Sequence, residues 1–431
     1  MKRRNTPFKI LVFLAVFSVM VTFLIIKTGL SNETPLPAEA DEPGSAAVTQ
    51  PAGTQPPTVL PEPSLPPEET TPAVAVPETA LPEDPAIAQA KLILAGMTTW
   101  EKVCQLFVVT PESLTDSFPT TAAGPVTKAA LEKYPVGGVV YNSSNLLSPE
   151  QAREMIDNIQ SFSRLGLFVA ADEEGGIVNR LMKTLGTTYI ESMYHYKDEG
   201  TDTAYGNAAT IARDMAAYGF NTDFAPVADV WSNKDNTVIG ERAYSDDYEK
   251  AAGLVAAAVR GFLDNGIICT LKHFPGHGDT SEDSHYESAY VTKTEAQLMR
   301  EEMLPFKSGI AAGADMVMLG HLIVPSIDDV PATLSHTIVT GLLRDKLGFD
   351  GVVITDSLAM NAVADHYTTA EIAVKALQAG ADILLGPKSL EKAADGIMAA
   401  LESGELTMER IDESVMRILL LKIGKGIVQT N

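Results

Sequence analysis

The sequence predicts an α/β chain in which one closed (β/α)8 barrel follows a membrane-anchor helix and a disordered tether. Three observations carry that prediction. Past residue 87 the chain alternates eight short apolar runs with segments of helical period about a dozen residues long, the pattern of a parallel sheet covered by helices. The runs are continuous rather than alternating, as strands buried on both faces require. Many of them end in an ionisable residue. That favours a TIM-type barrel, whose strands all open on one mouth, over an open doubly wound sheet with a single switch point.

The first element is apolar. Ile10 to Ile26 carries no charge and follows Lys2, Arg3, Arg4 and Lys9. At about 17 residues it is near the lower limit for a membrane span. Its basic flank places the N-terminus in the cytoplasm and the rest of the chain outside. We therefore expect residues 1–30 to be a signal anchor. The competing reading is a cleaved signal peptide, which would release a secreted protein. Residues 31–86 are rich in Pro, Glu, Thr and Ala and lack Lys and Arg. Such a segment cannot bury a core and is expected to be a disordered tether. It would reach roughly 40 Å as a coil and about 170 Å as polyproline II.

Residues 87–425 hold the expected barrel, about 340 residues, an ordinary size for that fold with long loops. Its strands are expected at Gln105–Val109, Val136–Tyr141, Leu167–Asp172, Thr222–Val230, Ile268–Phe274, Met316–Leu322, Gly351–Asp356 and Ile383–Gly386. Helical period marks Pro149–Arg164, Ala204–Tyr218, Glu249–Asp264, Glu295–Ala312, Thr337–Leu347, Ala370–Ala379 and Met408–Lys422. The formal charge of −24 over 431 residues argues against a nucleic-acid partner, which needs basic surface. Cys104 and Cys269 sit in apolar stretches and are expected to be small core residues rather than a disulfide or zinc pair.

Chemistry is concentrated at the strand exits. The fifth run leads into Lys272-His273-Phe274-Pro275-Gly276-His277-Gly278-Asp279-Thr280-Ser281-Glu282-Asp283-Ser284-His285. Ionisable groups are costly to bury, so such a cluster at a barrel mouth calls for a function. Asp283 and His285 are two residues apart, and in an extended loop both side chains can face one way. A carboxylate beside an imidazole favours its protonated form, which suits a general acid. The seventh run ends in Asp356, either a nucleophile between apolar walls or the cap of a following helix. Asp172, Arg180, Asp229, Arg242, Met318 and His321 lie at or just beyond other exits. Three further readings use these residues: a metal-dependent barrel hydrolase holding an ion on the His and Asp side chains, a Schiff-base lysine at Lys272, and a phosphate cradle at Pro275–Gly278.

These motifs resemble the family 3 glycoside hydrolases, and within them the β-N-acetylglucosaminidase (β-N-acetylhexosaminidase) branch. The resemblance spans roughly residues 87–425. It rests on the loop closing in Asp283-Ser284-His285, on Val353-Ile354-Thr355-Asp356-Ser357-Leu358-Ala359-Met360 and on Asp172-Glu173-Glu174-Gly175-Gly176-Ile177-Val178-Asn179-Arg180, with Ala225–Val230 and Val330–Ser335 as further matches. It implies a carbohydrate substrate and exo-acting, retaining hydrolysis of terminal β-linked N-acetylglucosamine without metal or organic cofactor. Asp356 would be the nucleophile and His285, assisted by Asp283, the acid/base. Asp172, Arg180, Arg242, Lys272, His273 and Met318 would bind the sugar. Cell-wall fragments would suit an outward-facing enzyme attached to the membrane through residues 10–26. An inactive wall-binding barrel is the non-enzymatic alternative. Glu173, where the family often has Gln, and Ala243-Tyr244, where it often has Ser-Phe, depart from the pattern and bear on aglycone preference.

Overall fold

In the computed structural model of this chain, residues 84–280 and 289–428 are described. Eight strands, labelled in chain order, form one parallel sheet: β1 Phe107–Val109, β2 Gly138–Val140, β3 Phe168–Ala171, β4 Thr222–Asp223, β5 Ile268–Phe274, β6 Met316–Leu319, β7 Val352–Thr355 and β8 Leu384–Leu385. Every residue in them is buried, as the apolar runs required. From β1 to β7 each strand pairs with the next in sequence, and β8 returns to β1 with Phe107 opposite Leu384. The remaining seam is closed by a parallel bridge between Ile354 and Ile383 and by Thr355 N–H donating to Ile383 O at 3.0 Å. The sheet thus forms a nearly closed barrel, with no switch point of the kind an open sheet would have.

The helices form where the sequence supplies their ends. Ser148 caps Pro149–Phe162, Asp247 caps Tyr248–Leu263 and Thr368 with Glu371 forms a capping box on Thr369–Ala379, each satisfying N–H groups that lack an intrahelical partner. The expected helix at 295–312 is two helices, Glu295–Arg300 and Met303–Ala311. Pro305 is the cause, because its ring excludes the carbonyl four residues back, at Glu301. The fourth run is strand only at Thr222–Asp223. Pro226 has no N–H for a ladder, yet the chain stays beside β5, with Ala228 N–H donating to Lys272 O at 2.6 Å. The sixth run stops at Leu319. Leu322–Val324 then joins Ala289–Tyr290 and Asp328–Pro331 in a small separate sheet.

Cys104 and Cys269 are buried and unpaired, and burial pushes both thiols up to about 12. The expected anchor, residues 10–26, and nearly all of the tether lie outside the described residues. Among those described, no helix is long and apolar enough to cross a membrane.

Candidate active site

A cavity of about 400 Å³ opens at the exits of the strands, within the range of small-ligand clefts. Asp172, Arg180, Arg242, Lys272, His273, Met318 and Asp356 all line it. Seven residues from five strand exits, chosen on sequence, therefore meet in one place. Asp283 and His285 lie in residues 281–288, outside the described residues.

One wall is a charge network. Lys272 Nζ lies 2.9 Å from Asp172 Oδ1 and 2.7 Å from Glu174 Oε1. Arg242 grips Glu174 with two parallel bonds of 2.9 and 2.8 Å, and Arg180 reaches Asp172 at 3.3 Å. Burial pushes the Glu174 carboxyl up, but Arg242 and Lys272 outweigh it and hold the group well below the ordinary carboxylate value. Burial likewise pulls Lys272 down, and Asp172 and Glu174 outweigh it, so its ammonium is held on the protonated side. A Schiff-base lysine needs the opposite shift. Three cations face two carboxylates, all with directional donors and acceptors at the cavity edge, which suits a ligand bearing several hydroxyls.

Glu174 was not singled out on sequence. The signal was present, because Glu174 follows Asp172 by two residues and alternate residues of an extended chain share a face. Glu173 turns away. Its carboxylate accepts the N–H groups of Arg180, Leu181 and Met182 at 2.5, 2.8 and 3.0 Å and so fixes the turn that presents Arg180.

His273 is held from behind. Its Nδ1 lies 2.7 Å from Asp229 Oδ2, and the wholly buried Asp229 also accepts the N–H groups of His273 and His277. Lys272 and His273 are consecutive, yet both side chains reach the cavity. The register between β5 and β6 shifts between Leu271 and Phe274, which breaks the strict alternation of a strand.

Asp356 stands at the end of β7. It caps no helix: the next one is Asn361–Ala364, and Met360 occupies its cap position. Its Oδ1 accepts the Ser357 N–H at 2.6 Å. Burial pushes its carboxyl up, while His273, His321, the Ser357 N–H and Lys272 together bring it below the ordinary aspartate value. His321 lies beside it, with Nε2 donating to Ser357 O at 2.9 Å and Nδ1 at 2.8 Å from Thr333 Oγ1. Thr333 itself donates to Gly320 O. An ionised carboxylate lining a cavity walled by cations and polar donors is equipped for nucleophilic attack on an electron-poor centre. Among the described residues no group of three or more His, Cys, Asp or Glu side chains is arranged to hold a metal ion.

Fold and site together define the class: a nearly closed parallel barrel with a polyhydroxyl-compatible pocket lined by the ionised carboxylate of Asp356. Comparison with known proteins makes this specific. The profile described as the glycosyl hydrolase family 3 N terminal domain matches residues 98–421, and the chain belongs to that family. Beta-hexosaminidase A of Pseudoalteromonas piscicida is 32% identical over 332 residues, covering 70% of this chain and 56% of that protein. Beta-hexosaminidase LpqI of Mycobacterium tuberculosis is 34% identical over 331 residues, covering 75% of this chain and 82% of that one. The solved family 3 β-N-acetylglucosaminidase of Paenibacillus sp. FPU-7 superposes with a TM-score of 0.73 at 38% identity, over 77% of this chain and 63% of that one. The chain thus spans little more than half of the first relative and most of the mycobacterial one. The motifs pointed to this branch of the family.

Proposed function

We propose that the chain is a β-N-acetylhexosaminidase that removes terminal β-linked N-acetylglucosamine with retention of configuration. The observation that carries this reading is Asp356: a partly buried carboxylate, held ionised, lining a cavity whose wall is Asp172, Arg180, Arg242, Lys272 and His273. The names of the relatives supply the sugar. Asp356 attacks the anomeric carbon and forms a glycosyl ester as the bond to the leaving oxygen breaks. His285, its imidazole favoured in the protonated form by Asp283, gives its proton to that oxygen. In the second step neutral His285 takes a proton from water, whose oxygen attacks the anomeric carbon and frees Asp356. Charge developing on the sugar is balanced by fixed groups that need no reorganisation. An imidazole acid need not sit at the 5–5.5 Å separation typical of two-carboxylate retaining enzymes. Attachment through residues 10–26 and action outside the membrane on cell-wall fragments belong to the same proposal and are supported by the sequence pattern alone.

Two measurements test the chemistry. A 5-fluoro N-acetylglucosaminide should trap a covalent adduct, and peptide mass spectrometry should place it on Asp356; a label elsewhere removes the nucleophile. His285→Ala should slow hydrolysis of glycosides with poor leaving groups by about 10²–10⁴-fold, and that of activated aryl glycosides far less. Equal losses on both remove the acid role.

A further inference from the structure

The chain leaving β5 returns to the barrel in two stems, Pro275–Thr280 and Ala289–Lys293, with residues 281–288 between them. Each stem is bound to the scaffold by groups that do not line the cavity. In the first, the buried Asn236 donates from Nδ2 to His277 O at 2.7 Å and to Thr280 Oγ1 at 3.3 Å, while its Oδ1 accepts the N–H groups of Val238 and Ile239. In the second, Ala289–Tyr290 pairs with Leu322–Ile323, and Val291 N–H donates to Ile323 O at 2.9 Å.

The stems are joined at one ion pair, between the partly buried Lys293 and the wholly buried Glu302. Lys293 Nζ, on the second stem, lies 2.8 Å from Glu302 Oε1, 2.9 Å from Glu301 Oε2 and 2.6 Å from Tyr248 Oη. It also lies 3.8 Å from Asp279 Oδ2, on the first stem. Glu302 is wholly buried and packs beneath the first stem, where a Cβ added at Gly276 would come within 2.9 Å of its side chain. Burying such a pair costs several kcal/mol per ion before their attraction is counted. Neither residue lines the cavity, so ligand binding does not account for the arrangement. Its evident effect is to fix the spacing of the two stems.

We propose that Lys293 and Glu302 are positioning residues for proton transfer: by holding the two stems in register they set where the intervening acid/base residues act. This rests on the Asp283/His285 reading above. The full chain carrying Glu302→Gln, Lys293→Met or Lys293→Arg is tested, with folding checked by thermal unfolding. For folded Glu302→Gln or Lys293→Met, kcat should fall by about 10- to 100-fold on an alkyl N-acetylglucosaminide, a fraction of a whole general-acid effect. On an activated aryl glycoside kcat and KM should change by less than about threefold, because that leaving group needs little protonation. Lys293→Arg keeps the charge but not the geometry and should show the same split, smaller. If Glu302→Gln and Lys293→Met do not fold, Lys293→Arg decides. Equal losses on both substrates, or no loss on either, overturn the proposal. A leaving-group split in His285→Ala without one in these variants removes the positioning role alone; no split in His285→Ala removes the acid assignment on which it stands.

Discussion

Glu174 holds the cavity wall together: one carboxylate bonds both Arg242 and Lys272 with no exposure of its side chain to solvent. Replacing it with Gln removes the charge, leaves the buried Arg242 without its carboxylate partner and leaves Lys272 with Asp172 alone, which Arg180 also contacts. Breaking a buried pair in this way costs about 3–5 kcal/mol. Glu174→Gln should therefore lower the unfolding free energy by that order in denaturant titration and raise KM for any N-acetylglucosaminide. Unchanged stability would mean that solvent or a side-chain shift compensates. The sign of the acid response follows from the same contacts. A carboxyl held below its ordinary value contributes stability that is complete above that value and is lost as pH falls through the depressed one. The Glu174 contribution should accordingly persist through mildly acidic pH.

At the scale of elements, the segment leaving β5 is held by close packing as much as by hydrogen bonds. A Cβ on Gly278 would lie 1.7 Å from Val230 O and 2.5 Å from its carbonyl carbon, and backbone cannot yield as a flexible side chain does. Gly278→Ala should force the first stem away from Val230. It should cost more than about tenfold in kcat/KM, or more than about 1.4 kcal/mol in transition-state stabilisation, while circular dichroism keeps the barrel signature. Wild-type kinetics in this variant would mean that the stem does not position the chemistry. Secondary structure was legible where its causes are local. The helical period alone located the helices that Ser148, Asp247 and Thr368 prove to cap. The break near Glu301 was missed because Pro305 was read within a helical period instead of as a bar to it. The fourth run is strand only at its start, because Pro226 interrupts the regular ladder without separating the chain from β5.

At the scale of the whole molecule, the last helix, Met408–Gly424, seals the barrel with a lysine. Lys422 is fully buried. Its Nζ bonds Gln105 Oε1 and Gly166 O, both at 2.9 Å, and lies 5.0 Å from the centre of the Phe168 ring. Burial pushes its ammonium down to about 7. Because the folded value lies below that of the unfolded chain, the folded state binds fewer protons between about pH 7 and 10, and stability from this group rises with pH there, by at most about 1.4 kcal/mol per unit. Unfolding measured across that window should show this slope in the wild type and its loss in Lys422→Met. Equal slopes would mean that the lysine stays charged in the folded protein.

The sequence by itself determined the order of the eight strands, their parallel sheet and seven of the residues around the cavity. The first two follow from local causes, since continuous apolar runs cannot face water and must pair in a covered sheet; the cavity residues follow from charge at strand exits together with the family resemblance. Only the tertiary structure decided which charges are partners. Glu174 with Arg242 and Lys272, Asp229 with His273, and Lys293 with Glu302 and Asp279 join residues from separate strands and loops. Their attraction depends on distances of a few ångströms in a medium of low dielectric constant, and those distances exist only once the barrel has closed.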